Sequence, residues 1–448
     1  MTILKSFRLS ALALACGVTL SAQAADFVLQ AASWGAKQDA AVAAAGGAVR
    51  FSHASGVALV SSDKADFLAQ ALRGGAIASG AADAVITQAP VRVVDADASQ
   101  DVSATPSDTF YPYVQWAPQS VGAPAAWAAG YTGRGVRVAV IDGGVHGAHP
   151  DLVANIDAAA ARSFASGTPN GCVEKWNCDT GNFWHGTHVS GIIAAPANGF
   201  GVVGIAPEAT IVPVKALHAG SGSFGAVIQA IMYAATEGRA DIINMSLGAV
   251  YSRSGREAAE LNSALNRAVN FASSQGVLVV SAAGNSGLDI DHTGNVIVTP
   301  AQSGNGLAVS ATGPFGFGYG ADNFTRFSSY SNYGNSLVAV AGPGGDFAWP
   351  TNESCTKTRA NGSPITRPCW VFDMVLSTSR AGYSWAAGTS MASPAVAAVA
   401  ALIKQKNPGI SVGALKNKLM NSAIDMGKPG HDPYYGRGYV NAPNALAD

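Results

Sequence analysis

Charge is scarce in this chain. Of its 448 residues only 12% are Asp, Glu, Lys or Arg, and the formal net charge is −1. No basic block or stripe occurs, so nothing in the charge pattern calls for nucleic acid or an anionic membrane as a partner. Cysteine is also sparse, with five residues and no CxxC spacing, which argues against a zinc site. Beyond the N-terminus no apolar run is long enough to span a bilayer. The chain does have apolar residues in quantity, 48%, which is ample for a large core.

The N-terminus reads MTILKSFRLSALALACGVTLSAQA. Lys5 and Arg8 precede a short apolar stretch, and Ala22-Gln23-Ala24 fits a small-residue cleavage site. This pattern is a secretory signal peptide with cleavage expected after Ala24, so the product is expected to be secreted or periplasmic. Cleavage removes Cys16 and leaves Cys172, Cys178, Cys355 and Cys369. An even number in an exported protein favours disulfides, and proximity pairs Cys172 with Cys178 and Cys355 with Cys369. Each pair lies in a polar loop.

Residues 25 to about 100 read as a small unit of order β-α-β-β-α-β, a split βαβ arrangement. "FVLQA" opens it, Gly46-Gly47 breaks an Ala-rich helix, and "AVRFSHASGVALVSS" alternates like a hairpin around Ser55-Gly56. "SDKADFLAQALRGG" follows as a helix, and "VITQAPVRVVD" is expected to return as a strand. An Asp/Ser/Thr/Pro-rich stretch from Asp95 to Pro112 then marks a linker. Beyond it, short apolar β runs such as "VRVAVID", "DIINMSL" and "GVLVVSAAG" alternate with helical segments. That alternation predicts an α/β domain with a mostly parallel sheet and helices on both faces.

Open parallel sheets bind ligands at the carboxyl ends of their strands. Asp142 ends "VAVID", His185 opens a helix in "FWHGTHVSG", Asn285 follows "VVSAAG", and Ser390 opens the helix of "GTSMASP". An acid, an imidazole, a hydroxyl and an amide at one sheet edge are what acyl transfer requires. A serine hydroxyl needs a base to take its proton, and the developing oxyanion needs preorganised donors. A helix N-terminus at Ser390 adds amide groups and the positive end of its dipole. The residues alone do not choose His185 over His188, nor Ser390 over Ser393.

"VAVIDGGVHGAHPDL", "HGTHVSGIIAA", "NMSLG", "SAAGNSG" and "GTSMASP" together resemble the subtilisin-like serine peptidases, in that family's order and over nearly all of residues 112–448. The resemblance implies a subtilisin-like three-layer α/β fold with a mostly parallel central sheet. A small α+β, ferredoxin-like propeptide domain precedes it. The expected organisation is a signal peptide at 1–24, an inhibitory propeptide at 25–105 and a catalytic domain at 106–448. By resemblance Asp142 orients His185, His185 is the general base, Ser390 is the nucleophile and Asn285 donates to the oxyanion. Protein or peptide substrates would then lie extended between Gly220-Ser221-Gly222 and Ser246-Leu247-Gly248, beside Ala283 and Gly284. Val298 falls on a pocket position that is often Gly, which implies small or medium apolar side chains before the cut bond.

No catalytic cofactor is implied. Asp151 and Asn198 fall on positions that ligate structural calcium in many of these enzymes, although Pro112 stands about where a glutamine ligand is usual. The chain departs from the family pattern by an insertion of roughly 30 residues from Gly345 to about Asp373, which holds Cys355 and Cys369. The implied product is a monomeric secreted endopeptidase acting through an acyl-enzyme. It is expected to silence itself with its own propeptide and to remove that propeptide by a cut within about 95–112.

Overall fold

A computed structural model describes residues 24–88, 92–95, 110–167, 170–380 and 382–447. Nearly all of the expected signal peptide, and the expected boundary near residue 105, lie outside these residues. Among them no helix is long and apolar enough to cross a membrane.

The N-terminal unit folds as the alternation predicts. Strands β1 (Ala25–Gln30), β2 (Ala48–His53), β3 (Val57–Ser62) and β4 (Ser79–Ala82) alternate with helices α1 (Ala36–Ala44) and α2 (Phe67–Arg73). Its sheet has the order β2-β3-β1-β4, antiparallel throughout. One face closes on α1 and α2 around Leu29, Val42, Val60, Phe67 and Ile77. The other face carries Val28, Val57 and Ala81 into a second apolar cluster, shared with Phe224, Val227 and Leu261 of the larger domain.

"VITQAPVRVVD" does not form the last strand of this unit. It divides into β5 (Val85–Gln88) and β6 (Arg92–Asp95), and both pair with the larger domain. Period-2 alternation identifies a strand but does not name its partner. The partner is set by which sheet edges stand open, and here those edges belong to the other domain.

That domain is built on a sheet of eight strands. They are β7 (Arg137–Asp142), β8 (Arg162–Ser163), β9 (Thr210–Lys215), β12 (Ile242–Met245), β14 (Leu278–Ala282), β16 (Leu307–Gly313), β17 (Arg326–Phe327) and β18 (Val340–Pro343). The order is β17-β16-β14-β12-β7-β9-β8, with β18 also paired to β16, and only β17 runs antiparallel. Both faces are covered, so β7, β12 and β14 read as continuous apolar runs rather than alternating ones. Helices α4 (Phe224–Ala235) and α5 (Arg256–Ser274) are buried in one apolar cluster, whereas α3 (His185–Ala194) and α6 (Thr389–Lys406) enter the other. α6 is buried from Thr389 to Ile403, and its Ala-rich composition lets it run through the core without displacing neighbours.

A second sheet borders the carboxyl edge of the first. Strands β10 (Leu217–His218), β11 (Ser221–Ser223), β13 (Leu247–Ser252) and β15 (Val296–Thr299) are joined through β5, in the order β10-β11-β5-β13-β15. β5 therefore lies between the two segments expected to hold substrate. The insertion forms a hairpin, β19 (Ser354–Thr358) and β20 (Pro364–Pro368), followed by β21 (Val375–Ser379) and β22 (Gly382–Ala387). β22 leads directly into Ser390.

Both expected disulfides are formed, Cys172–Cys178 and Cys355–Cys369, with Cα atoms 5.2 and 4.8 Å apart. Cys355–Cys369 closes the insertion hairpin over a separation of 14 residues. In the chain-entropy account a loop of that size is worth about 3 kcal/mol. Replacing both cysteines by serine should lower the melting temperature and expose the insertion to nicking. Peptide mapping without reductant should recover the linked Cys355 and Cys369 peptides. Free thiols at these positions would contradict the pairing.

Candidate active site

The carboxyl edge of the parallel sheet gathers the expected side chains. Asp142 is the last residue of β7 and His185 the first of α3. Both are buried, and His185 Nδ1 lies 2.8 and 2.9 Å from the two Asp142 carboxylate oxygens. A carboxylate only accepts, so Nδ1 carries the hydrogen and Nε2 turns its lone pair outward. Nε2 is buried with no hydrogen-bond partner among the described residues, which is the condition of a base awaiting a proton. Asp142 is further held by the N–H of Gly143 (2.7 Å).

The Gly143-Gly144 pair has a steric reason. A Cβ on Gly143 would stand 2.4 Å from Asp179 Oδ2, and one on Gly144 would stand 2.3 Å from the Cys178 carbonyl oxygen. The Cys172–Cys178 loop thus packs directly on the backbone that follows Asp142. Lys215, at the end of β9, is fully buried and donates to the carbonyls of Cys172 and Cys178. Nothing in "TIVPVKAL" signals this role, because a lysine ending a strand is ordinarily solvated.

His188 and Ser393, the alternatives that spacing leaves open, are both engaged elsewhere. His188 is fully buried and its Nε2 donates to the Ser384 carbonyl (2.9 Å), while burial pushes its pKa down to about 3. It is a neutral structural histidine. Ser393 donates to Asn244 Oδ1 (2.6 Å), which ties α6 to β12. Ser390 sits in the first turn of α6, and its Oγ donates to the Ser246 carbonyl at 3.3 Å, a long contact. Ser390 is covered rather than exposed. β5 pairs with β13, which follows Ser246, and β6 pairs with β22, which leads into Ser390.

Asn285 is fixed by residues distant from it in sequence. Its side-chain oxygen accepts from the N–H (2.8 Å) and the hydroxyl (2.7 Å) of Thr389. Thr389 Oγ1 in turn accepts from Gly284 N (3.0 Å). Anchoring the oxygen leaves the amide nitrogen as the donating end. Gly284 has φ +98, and a Cβ there would meet Asn332 Nδ2 at 2.4 Å. Asn332 holds the loop by donating to the Ala283 carbonyl (2.9 Å) and accepting from Ser286 N and Leu288 N (both 3.0 Å). Thr389 belongs to a motif visible in the sequence, but Asn332 carries no such signal.

β5 lies antiparallel to both neighbours. Ser221 pairs with Thr87 and Gly222 with Ile86 on one side, and Leu247 pairs with Gln88 and Gly248 with Thr87 on the other. Gln88 N donates to the Gly220 carbonyl (2.9 Å). A cavity of about 180 Å³ adjoins this strand, lined among others by Leu247, Gly248, Gly284, Asn285 and Val298. Ala283 is buried but is not among the lining residues.

The model of the subtilase family matches residues 133–438. Subtilisin Savinase of Lederbergia lenta is 38% identical over 333 residues, 74% of this chain and 98% of that protein. The chain belongs to the subtilase family. Alkaline elastase YaB of Bacillus sp. (strain YaB) is 37% identical over 370 residues, covering 80% and 79% of the two chains. A solved lanthipeptide protease superposes with a TM-score of 0.60 at 29% identity, over 74% of this chain and 94% of that one. This subtilase is a serine-type endopeptidase, and peptidases of the family need no catalytic cofactor.

The two residues expected to hold calcium are bonded to each other and to their neighbours. Asp151 and Asn198 do meet, but Asn198 offers its Nδ2 to Asp151 Oδ1 (3.0 Å) while its oxygen accepts from Phe200 N (3.2 Å). Asp151 Oδ2 accepts from Val202 N (2.9 Å) and the Tyr383 hydroxyl (3.2 Å). A calcium ion needs six to eight oxygen ligands, and here three donors already occupy both carboxylate oxygens. The space is filled too, since a Cβ on Gly201 would meet both Asp151 Oδ2 and the Tyr383 hydroxyl oxygen. Burial outweighs these donors and raises the Asp151 pKa to about 7. With the Asp151 carboxylate taken up by these donors, chelation with EDTA should leave the melting temperature of this subtilase unchanged, with no stoichiometric calcium by elemental analysis. A fall in melting temperature would restore the calcium reading.

Proposed function

We propose that this subtilase is exported through a signal peptide cut after Ala24 and hydrolyses peptide bonds with Ser390, His185 and Asp142. The observation that carries the reading is the buried Asp142–His185 pair, with Nε2 left unpartnered on a helix that packs against α6, in whose first turn Ser390 sits. Ser390 Oγ attacks the substrate carbonyl carbon while His185 Nε2 takes its proton. Asp142 holds the imidazole in the required tautomer and offsets the charge of the imidazolium. The carbonyl oxygen gains negative charge facing the Asn285 amide nitrogen and the first-turn N–H groups of α6. Collapse passes the proton from His185 to the departing amine and leaves an acyl-Ser390. Water, deprotonated by His185, then attacks this ester and frees the serine.

Substrate would take the place of β5, gaining backbone hydrogen bonds from β11 and β13 without sequence demands. Val298 narrows the adjoining cavity, which supports a graded preference for small or medium apolar side chains before the cut bond. The N-terminal unit is then a propeptide. It fills the cleft with β5 and grips the peptidase elsewhere. Arg267 Nη1 donates to the Ala31 carbonyl (2.8 Å), and the Asp83 carboxylate accepts from Gly225 N (3.1 Å) at the start of α4. That position favours a negative charge. The pairing of β5 with β11 and β13, and of β6 with the strand that leads into Ser390, supports a first cut between Gln88 and Arg92, upstream of the expected 95–112.

Full-length Ser390→Ala should fold and accumulate as uncut precursor, whereas wild type should shorten, with its new N-terminus read by sequencing. Mature-length Ser390→Ala, made away from other proteases, would contradict self-processing. Asp142→Asn, which presents the wrong histidine tautomer, should lower kcat by about 10⁴-fold with little change in KM. A loss below tenfold would remove Asp142 from the mechanism.

A further inference from the structure

The insertion after Gly345 contributes to the cleft on the side away from β5. β6 pairs antiparallel with β22, with Arg92 opposite Ala387 and Val93 opposite Ala386. β22 is the strand that runs into Gly388, Thr389 and Ser390. Arg92 therefore lies along the path a substrate would follow past the cut bond. Its guanidinium carbon stands 4.7 Å from the ring centre of Trp370 and 5.6 Å from that of Phe347. Both rings belong to the insertion.

The two rings are held in place by their surroundings. Phe347 stacks on Tyr330 at 5.5 Å and 11°. The Tyr330 hydroxyl donates to the Gly345 carbonyl (2.7 Å), and Phe347 N donates to Asp346 Oδ1 (2.8 Å). Trp370 directly follows the disulfide-bonded Cys369 and donates from Nε1 to Asn352 Oδ1 (3.1 Å). An aromatic face attracts a guanidinium or ammonium through its quadrupole. Rings fixed beforehand do so without the cost of ordering them on binding.

We propose that Phe347 and Trp370 form a cation-recognising subsite on the leaving-group side of the cleft, so that this enzyme prefers peptides with Arg or Lys within the first few positions beyond the cut bond. Arg92 is the precursor's own occupant of that subsite. The inference rests on the peptidase reading above.

The test uses active enzyme purified after expression of the full chain, and a set of quenched fluorogenic peptides. All share one sequence up to the cut and carry Arg, Lys, Leu or Glu in turn at each of the next few positions. At one position Arg and Lys should raise kcat/KM roughly three- to tenfold over Leu, with Glu below Leu. Trp370→Ala should bring the Arg-to-Leu ratio close to one, and Trp370→Tyr, which keeps an aromatic face, should retain part of it. A ratio near one at every position in wild type overturns the subsite, whatever the variants do. So does a preference that survives Trp370→Ala. Failure to cut any peptide would instead overturn the peptidase reading itself.

Discussion

Two side chains 43 residues apart in sequence, Asp142 and His185, meet at 2.8 Å where neither reaches solvent. A buried carboxylate is costly unless it is paired and hydrogen-bonded, so the surrounding structure must supply partners in fixed positions. β7 delivers Asp142 at its carboxyl end, α3 delivers His185 at its first residue, and the N–H of Gly143 completes the carboxylate. The glycine pair then allows the Cys172–Cys178 loop to close over this backbone, and buried Lys215 ties that loop to β9. His188, one turn along α3, is locked to Ser384 in β22, which fixes the helix bearing His185 against the strand leading to Ser390.

The N-terminal unit meets the same edge of the molecule from outside. Its sheet packs an apolar face on α4 and α5, and the chain beyond it supplies one strand between β11 and β13 and another beside β22, which leads into Ser390. Open strand edges are a liability in any soluble protein because they invite pairing with other chains. In a peptidase such edges also serve to hold substrate, so they cannot be blunted permanently. Here a strand from the same chain, β5, covers them. Burial of Asp83 at the head of α4 and the Arg267 contacts with Ala31 and Ser55 show that this cover is bound by directional polar contacts as well as by apolar area.

Much of this was legible in the sequence because it is local. Alternating apolar runs and helical segments give the parallel sheet. Strand-ending Asp142 and helix-opening His185 and Ser390 announce themselves by position, and short spacing gives both disulfides. Partners distant in sequence were less accessible. "VITQAPVRVVD" reads as one strand, yet it splits between two edges of another domain. Asn332 orients the Asn285 loop from 46 residues away, and Tyr383 reaches Asp151 across 232. At the position expected for calcium, a tyrosine hydroxyl from β22 and the Asn198 amide nitrogen bond to the carboxylate that a metal would need. Trp370 and Phe347 likewise lie in an insertion whose sequence gives no hint that both rings face one strand.

The central claim is that Ser390 becomes a nucleophile through His185. Its most direct measurement is intact-mass analysis of the active enzyme after treatment with a fluorophosphonate, followed by peptide mapping. One adduct per chain is predicted, on the peptide containing Ser390, forming far more slowly in His185→Ala. An adduct on another serine, or labelling of Ser390 at an unchanged rate without His185, would contradict the account.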